Sequence, residues 1–189
     1  ARQHDITITI SNKDAFALLL KEKYPPNFHI KIDTGMHRQG FYIDDLPKII
    51  QQIANRLIRP SCQAIGKSFA EGGLTGIYTH FASAKDLNYP TYTDIQFEQF
   101  LAAIALCKKA GFKNLVRHAA ATGGALMNKK YHLDAVRVGI GFYGLWPSKE
   151  LELQLPHLAF EPTLSWHTVV TEVKSIKHGD YVGYNLVYR

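Results

Sequence analysis

The chain switches repeatedly between a hydrophobic period of two residues and one of three to four. No other feature constrains its fold as strongly. His4-Asp5-Ile6-Thr7-Ile8-Thr9-Ile10 alternates and reads as a strand. Ser11-Asn12-Lys13-Asp14 follows with a helix-capping pattern, Ser11 as cap and an acid three residues on. Ala15 to Tyr24 supplies the helix, and Pro25-Pro26 stops it. The cycle then repeats. Phe28 to Asp33 reads as a strand and Asp44 to Leu57 as an amphipathic helix, with Pro47 tolerated in its first turn. Thr75 to Phe81 reads as a strand, and Thr93 to Ala110 as a helix capped by Thr93 or Asp94. Leu115 to His118 is a strand, a short helix opens at Thr122, and Ala135 to Phe142 is a fifth strand. Strands separated by helices imply parallel pairing through crossovers.

After Pro147 the pattern changes. Glu161 to Ile176 is rich in Thr and Val, has no helical period, and runs into the turn His178-Gly179-Asp180. Val182 to Tyr188 then reads as a strand, so residues 148–189 are expected to be a linker and the first strands of a β domain. A closed (β/α)8 barrel takes about 250 residues. Residues 1–147 hold five predicted strands, so the fold class is α/β, a partial (β/α)8 barrel followed by that β segment. The chain is expected to be a fragment, with about three barrel units outside it on the N-terminal side.

Composition excludes several classes. No apolar run approaches the roughly 18 residues of a membrane span, and the N-terminus has no apolar signal segment. The formal charge is +6, but the basic residues are dispersed and never run beyond pairs such as Lys108-Lys109, whereas nucleic acid needs a concentrated stripe. An anionic small ligand suits that charge equally well. Cys62 and Cys107 lack metal-ligand spacing and read as idle thiols in a reducing compartment.

In such a barrel, chemistry gathers where strands end. Lys31-Ile32-Asp33-Thr34-Gly35-Met36-His37-Arg38 closes one strand, and its Lys, Asp and Arg could bind an anion or lie as solvated charges in a surface turn. Tyr78-Thr79-His80-Phe81 closes the next and brings a histidine to the same rim. Val116-Arg117-His118-Ala119-Ala120-Ala121-Thr122-Gly123-Gly124 combines small residues, which admit a ligand close to backbone, with a Thr opening a helix. A tight turn with a Thr cap would read the same way. Val136-Arg137-Val138-Gly139-Ile140-Gly141 sets a second glycine-containing turn beside it, where barrels of this kind often hold a phosphate.

Four strings in order resemble alanine racemase, a pyridoxal-phosphate enzyme with a barrel and a β domain: Lys31 to Arg38, Thr79-His80-Phe81, Arg137 to Gly144, and Gly179-Asp180-Tyr181-Val182-Gly183-Tyr184. The resemblance implies pyridoxal 5'-phosphate as cofactor and interconversion of L- and D-alanine by two bases. Catalytic roles fall on Tyr184, Arg38 and His80, and cofactor contacts on Arg38, His80, Thr122, Arg137, Gly139 and Ile140. Arg38 matches the arginine that meets the cofactor's phenolic oxygen and the substrate carboxylate, and His80 the histidine against the pyridine ring. Thr122, Gly139 and Ile140 match phosphate-holding positions, and Arg137 the arginine facing the ring nitrogen. Lys31 matches a lysine that many members carbamylate to N6-carboxylysine.

Tyr184 matches the base that acts on L-alanine, and a phenol becomes a base only where cationic neighbours favour its anion. His80 and Arg137 are the neighbours in view. In the family this tyrosine serves the partner's site, which implies a homodimer. The second base, a lysine in a string like Lys-Ala-Asn-Ala-Tyr-Gly, has no match here, so the chain alone is expected to be inactive. The resemblance further implies a bacterial, cytoplasmic enzyme that supplies D-alanine for peptidoglycan, with no metal and no nucleic-acid or membrane partner. Ala121 stands where many members have Asn, Thr122 replaces Ser, Val138 replaces Pro or Phe, and Asn185 replaces Gly.

Other readings stay open. A racemase for serine, lysine or a broader range shares these strings, and a fusion to a cell-wall ligase would leave them unchanged. A non-catalytic pyridoxal-phosphate barrel would lack the β segment and Tyr184. A decarboxylase of the related barrel type would face the ring nitrogen with a carboxylate, where this chain has Arg137.

Overall fold

Residues 1–57 and 73–188 are described by the structure, a computed structural model. Four parallel strands form one sheet in the order β1-β2-β3-β4: β1 Ile8–Ile10, β2 Phe28–Lys31, β3 Leu74–Tyr78 and β4 Val116–His118. Sequential, parallel neighbours with helices between them are the topology of a barrel segment. β2 and β3 slip by one residue after Phe28, because Thr75 is extra, and this sets His29 opposite Gly76.

The two sheet faces differ in chemistry. Phe28, Ile30, Ile32 and Ile77 are fully buried among the helices. The alternate positions His29, Lys31, Gly76, Tyr78 and His118 lie on the opposite face, the one a closed barrel turns inward. Helix α1, Lys13–Lys21, is capped by Asn12, whose Oδ1 accepts from the Ala15 N–H at 2.8 Å, in place of the predicted Ser11. The second helix, α2, spans Leu46–Leu57 after a short 3-10 turn at Ile43–Asp45.

Helix α3, Thr91–Lys109, buries Thr93, Gln96, Phe97, Phe100, Ala103, Ile104 and Cys107, a stripe at three- and four-residue spacing. Neither predicted cap caps it. Thr93 Oγ1 donates to the Ser83 carbonyl at 3.2 Å, and Asp94 Oδ1 accepts from the Tyr131 hydroxyl at 2.6 Å. Tyr131 also packs edge-on against Phe81 and Phe97, at centroid distances of 5.1 and 5.2 Å. Those contacts, worth about 1 kcal/mol per aromatic pair beyond burial, tie the segment after β3 to α3. Helices α4, Thr122–Met127, and α5, Lys149–Gln154, complete the described helices.

Two predicted strand regions differ. Residues 135–142 form no strand. The Ala121 and Arg137 positions make an isolated bridge, the Arg137 N–H bonds the Ala120 carbonyl at 3.0 Å, and Ile140–Tyr143 is a 3-10 turn. Val136, Val138 and Ile140 are exposed, so their alternation finds no second strand to pair with. Residues 161–176 likewise carry no strand among the described residues. Val182 and Tyr188 make only an isolated antiparallel bridge around a 3-10 turn at Tyr184–Leu186. A strand is stabilised by its ladder, and neither region has a ladder partner among the described residues.

No described helix is long and apolar enough to cross a membrane, and the described residues hold no group of His, Cys, Asp and Glu placed to bind a metal. Cys107 is buried and free, and burial pushes its thiol up to about 12. Cys62 lies outside the described residues.

Candidate active site

Beyond the ends of β3 and β4 lies a cleft of about 470 Å³, within the usual size for small ligands. Its wall includes His80, Thr122, Arg137, Gly139 and Ile140, five of the residues singled out in the sequence, and no carboxylate among the described residues. The cleft therefore favours an anion.

Arg137 organises it. Its Nη2 donates to the Ala119 carbonyl at 2.8 Å and the Thr79 carbonyl at 2.9 Å, and lies 3.2 Å from His80 Nδ1. Its Nη1 lies 2.6 Å from His118 Nδ1. The guanidinium is also 5.1 Å from the centre of the Tyr78 ring. Burial lowers its pKa, and Tyr78 opposes the shift. A guanidinium offers five hydrogens, and no described acceptor takes the one on Nε or the second one on Nη1, which leaves two donors for a ligand.

His80 is half-buried, and burial, then Arg137, Arg38 and Lys31, hold its pKa below the ordinary imidazole value. His80 Nδ1 is the third and longest contact of Arg137 Nη2, whose two hydrogens face the Ala119 and Thr79 carbonyls.

Thr122 is buried at the start of α4, and its Oγ1 accepts from the backbone N–H groups of Gly139 and Gly141 at 3.1 and 3.3 Å. This one hydroxyl folds the second glycine turn onto the first. A Cβ at Gly139 would meet nothing within 4 Å, so its backbone is open to the cleft. At Gly123 a Cβ would lie 2.0 Å from the Ala84 carbonyl oxygen, so α4 can pack here only without a side chain.

The string after β2 divides. Asp33 shapes the loop: its Oδ1 accepts from the Gly35 and His37 N–H groups, both at 3.0 Å. Lys31 is 4% exposed, and no described carboxylate pairs with it. Burial and then Arg38 lower its pKa, with Arg137 adding to the shift and Asp33 opposing it. Arg38 is exposed, at the tip of that loop.

Tyr184 is not brought to the cleft. It is 99% exposed, and neither His80 nor Arg137 touches it in this chain. Sequence reasoning also passed over His29, Gln96 and Gly76. For His29 and Gly76 the available signal was a polar or absent side chain at alternate positions of a strand face that barrels fill with apolar groups; Gln96, on α3, carried none.

Residues 1–147 match the family described as alanine racemase, N-terminal domain. The chain is 32% identical over 187 residues to an alanine racemase of Leptospira interrogans, covering 96% of this chain and 44% of that protein. It is 33% identical over 190 residues to alanine racemase 1 of Bacillus subtilis, covering all of this chain and 44% of that protein. Among solved structures, the alanine racemase of Bacillus anthracis with bound L-Ala-P superposes with a TM-score of 0.79 at 30% identity, covering all of this chain and 46% of that one. The enzyme of the D-cycloserine producer Streptomyces lavendulae gives 0.74 at 27% identity, covering all of this chain and 47% of that one. The chain thus spans under half the length of these relatives.

Proposed function

The chain belongs to the alanine racemase N-terminal domain family, and from that premise we propose that the protein carrying it interconverts L- and D-alanine with pyridoxal 5'-phosphate. The observation that carries this reading is the cleft, lined by no described carboxylate, in which Arg137 is fixed by two carbonyls, two histidines and the Tyr78 ring beside the Thr122–Gly139 turn. Its residues suit the cofactor's chemistry. The Thr122 hydroxyl hydrogen and the cleft-lining Gly139–Ile140 turn suit a phosphate, and Arg137 keeps its Nε–H and one Nη1–H for an aromatic nitrogen.

Pyridoxal phosphate, when bound, supplies an electron-withdrawing ring that acidifies the amino acid's α-hydrogen. Thr122, Gly139 and Ile140 would hold its phosphate and His80 would face its ring. Arg137 would donate a hydrogen bond to the ring nitrogen without transferring its proton, since guanidinium remains the acid at any working pH. The cofactor would then be a weaker electron sink than one paired with a carboxylate. Arg38 pairs with the substrate carboxylate through its fork of donors.

Tyr184 exchanges a proton at its phenol oxygen with the α-carbon of L-alanine. In a homodimer it would serve the partner's cleft. Lys31 carries a carbamate. The support is its burial and the fields of Arg38 and Arg137, which outweigh that of Asp33 and favour the neutral amine that captures carbon dioxide. As a carbamate it would become an anion that orients Arg38. The reading further places the protein in a bacterial cytoplasm, supplying D-alanine to cell-wall synthesis.

The test is exchange of the α-hydrogen of each alanine enantiomer in deuterium oxide, followed by proton NMR on the whole protein. Exchange from both enantiomers, slowed about a hundredfold or more for L-alanine by Tyr184→Phe, is expected. An unchanged L-alanine rate in that variant would remove Tyr184 from its role. An intact mass without the carbamate's increment in bicarbonate buffer would do the same for Lys31.

A further inference from the structure

His29 and His118 lie outside every role given above. Their rings touch across β3: His29 Nδ1 lies 2.9 Å from His118 Nε2, and the ring centres are 5.1 Å apart. Strands two apart in a sheet are separated by nearly 10 Å, so two such rings meet only if the strand between leaves room. Gly76 leaves it. A Cβ there would lie 2.5 Å from the His29 ring, and the one-residue slip of β2 against β3 is what sets Gly76 opposite His29. Tyr78 closes the assembly by stacking on His118 at 4.7 Å and 7°.

The donors and acceptors admit one order of protons. Arg137 has no lone pair to offer, so His118 Nδ1 must accept from its Nη1. The His118 proton then sits on Nε2 and points at His29 Nδ1, which must also accept, leaving the His29 proton on Nε2. Both rings are neutral. A proton added to His118 would set an N–H against an N–H at Arg137. A proton added to His29 would force the His118 proton round to Nδ1, with the same result.

We propose that His29 and His118 are positioning residues that hold the Arg137 guanidinium in place through this ordered chain of neutral imidazoles, and release it when either ring is protonated. The claim rests on the assignment of Arg137 to the cofactor only for its consequence, since the chain of contacts stands without it.

The charged and titratable groups around the pair agree with neutral rings. His118 faces His29 from β2, Tyr78 from β3 and Arg137 from the segment after α4, with Lys31 farther along β2 and His80 on the far side of Arg137. Arg117 and Asp134 form their own ion pair beside β4. No carboxylate faces His118 among the described contacts, so nothing stabilises an imidazolium there. Burial, then Arg137 and His29, hold His118 down at about 4, and burial lowers His29.

The experiment has two arms on the whole protein. Nitrogen-15 NMR of the histidine rings from pH 4 to 8 reads tautomer and charge directly. His118 neutral, with its proton on Nε2 down to about pH 5, supports the chain. His118 charged at pH 6, or protonated on Nδ1, overturns it. The second arm titrates pyridoxal phosphate by its visible absorption against His118→Phe and His118→Gln, the latter retaining an acceptor and a donor.

Affinity reduced about tenfold in His118→Phe and restored to within about threefold in His118→Gln is expected from one charge-assisted hydrogen bond. Equal affinity in all three proteins would overturn the positioning role, as would equal loss in both variants. Should His118→Phe fail to fold, the Gln variant and the wild-type NMR still decide. Failure of the wild-type protein to bind pyridoxal phosphate would instead sink the cofactor reading, with the proton order still judged by NMR.

Discussion

Gln96 braces the site, and its removal has a cost that can be worked from the structure. It is fully buried on α3 and reaches two strand ends. Its Oε1 accepts from the Ala82 N–H at 2.8 Å, and its Nε2 donates to Thr34 Oγ1 at 3.3 Å and to the His80 carbonyl at 3.4 Å. Gln96→Leu keeps the volume and deletes all three. Thr34 retains its bond to Thr79 at 2.7 Å, so the groups left without a partner are the Ala82 N–H and the His80 carbonyl. One good bond and two long ones contribute about 2 kcal/mol together, and stranding two backbone groups adds about 1–2 kcal/mol. Leucine recovers about 1 kcal/mol by burying apolar surface. The net loss is about 2–3 kcal/mol. Urea unfolding of the whole protein measures it, and affinity for pyridoxal phosphate should fall in parallel because His80 sits on the loosened loop. A loss below about 0.5 kcal/mol, the range of unremarkable surface changes, would refute the brace.

Other consequences can be checked separately. Acid should begin to destabilise the protein near pH 6.5, well above the ordinary carboxylate range. His118 is held at about 4, and His29 and His80 are also lowered. The unfolded chain therefore binds more protons below about pH 6.5, so stability falls from there towards pH 4 and is level above. Urea midpoints across that range should slope, less so in His118→Gln; a level profile would contradict the buried neutral rings. Gly123→Ala places a Cβ 2.0 Å from the Ala84 oxygen and should cost about 2 kcal/mol or more in thermal unfolding, whereas an unchanged Tm would deny the close approach. Thr122→Val should weaken phosphate-dependent cofactor binding while Thr122→Ser preserves it, because one hydroxyl holds both glycine amides. Cys107, buried with its thiol pushed up to about 12, should resist iodoacetamide in the native protein, as read by peptide mass.

Strands and helices whose burial follows their own period were legible in the sequence. β2 alternates because one face meets helices, and α3 shows its three- and four-residue stripe because one face meets the sheet. Residues 135–142 misled because alternation reports a half-buried strand only where a neighbour exists, and here the Gly139 and Gly141 amides turn to Thr122 instead. The cleft residues were legible as a resemblance in motifs. Their supports were not, since Gln96 reads as one more polar helix residue until its place between two strand ends is known. The link between His29 and His118 depends on an extra residue at Thr75 that no periodicity reveals. Tyr184 was found by motif alone and stands apart from the cleft of its own chain.

The most direct measurement of the central claim is optical rotation of L-alanine incubated with the whole protein and pyridoxal phosphate. The account predicts decay to zero rotation, the same end point from D-alanine, and loss of both in the absence of cofactor. Rotation that stays constant while the cofactor is demonstrably bound would contradict it and move the assignment to another amino acid or to a cofactor carrier.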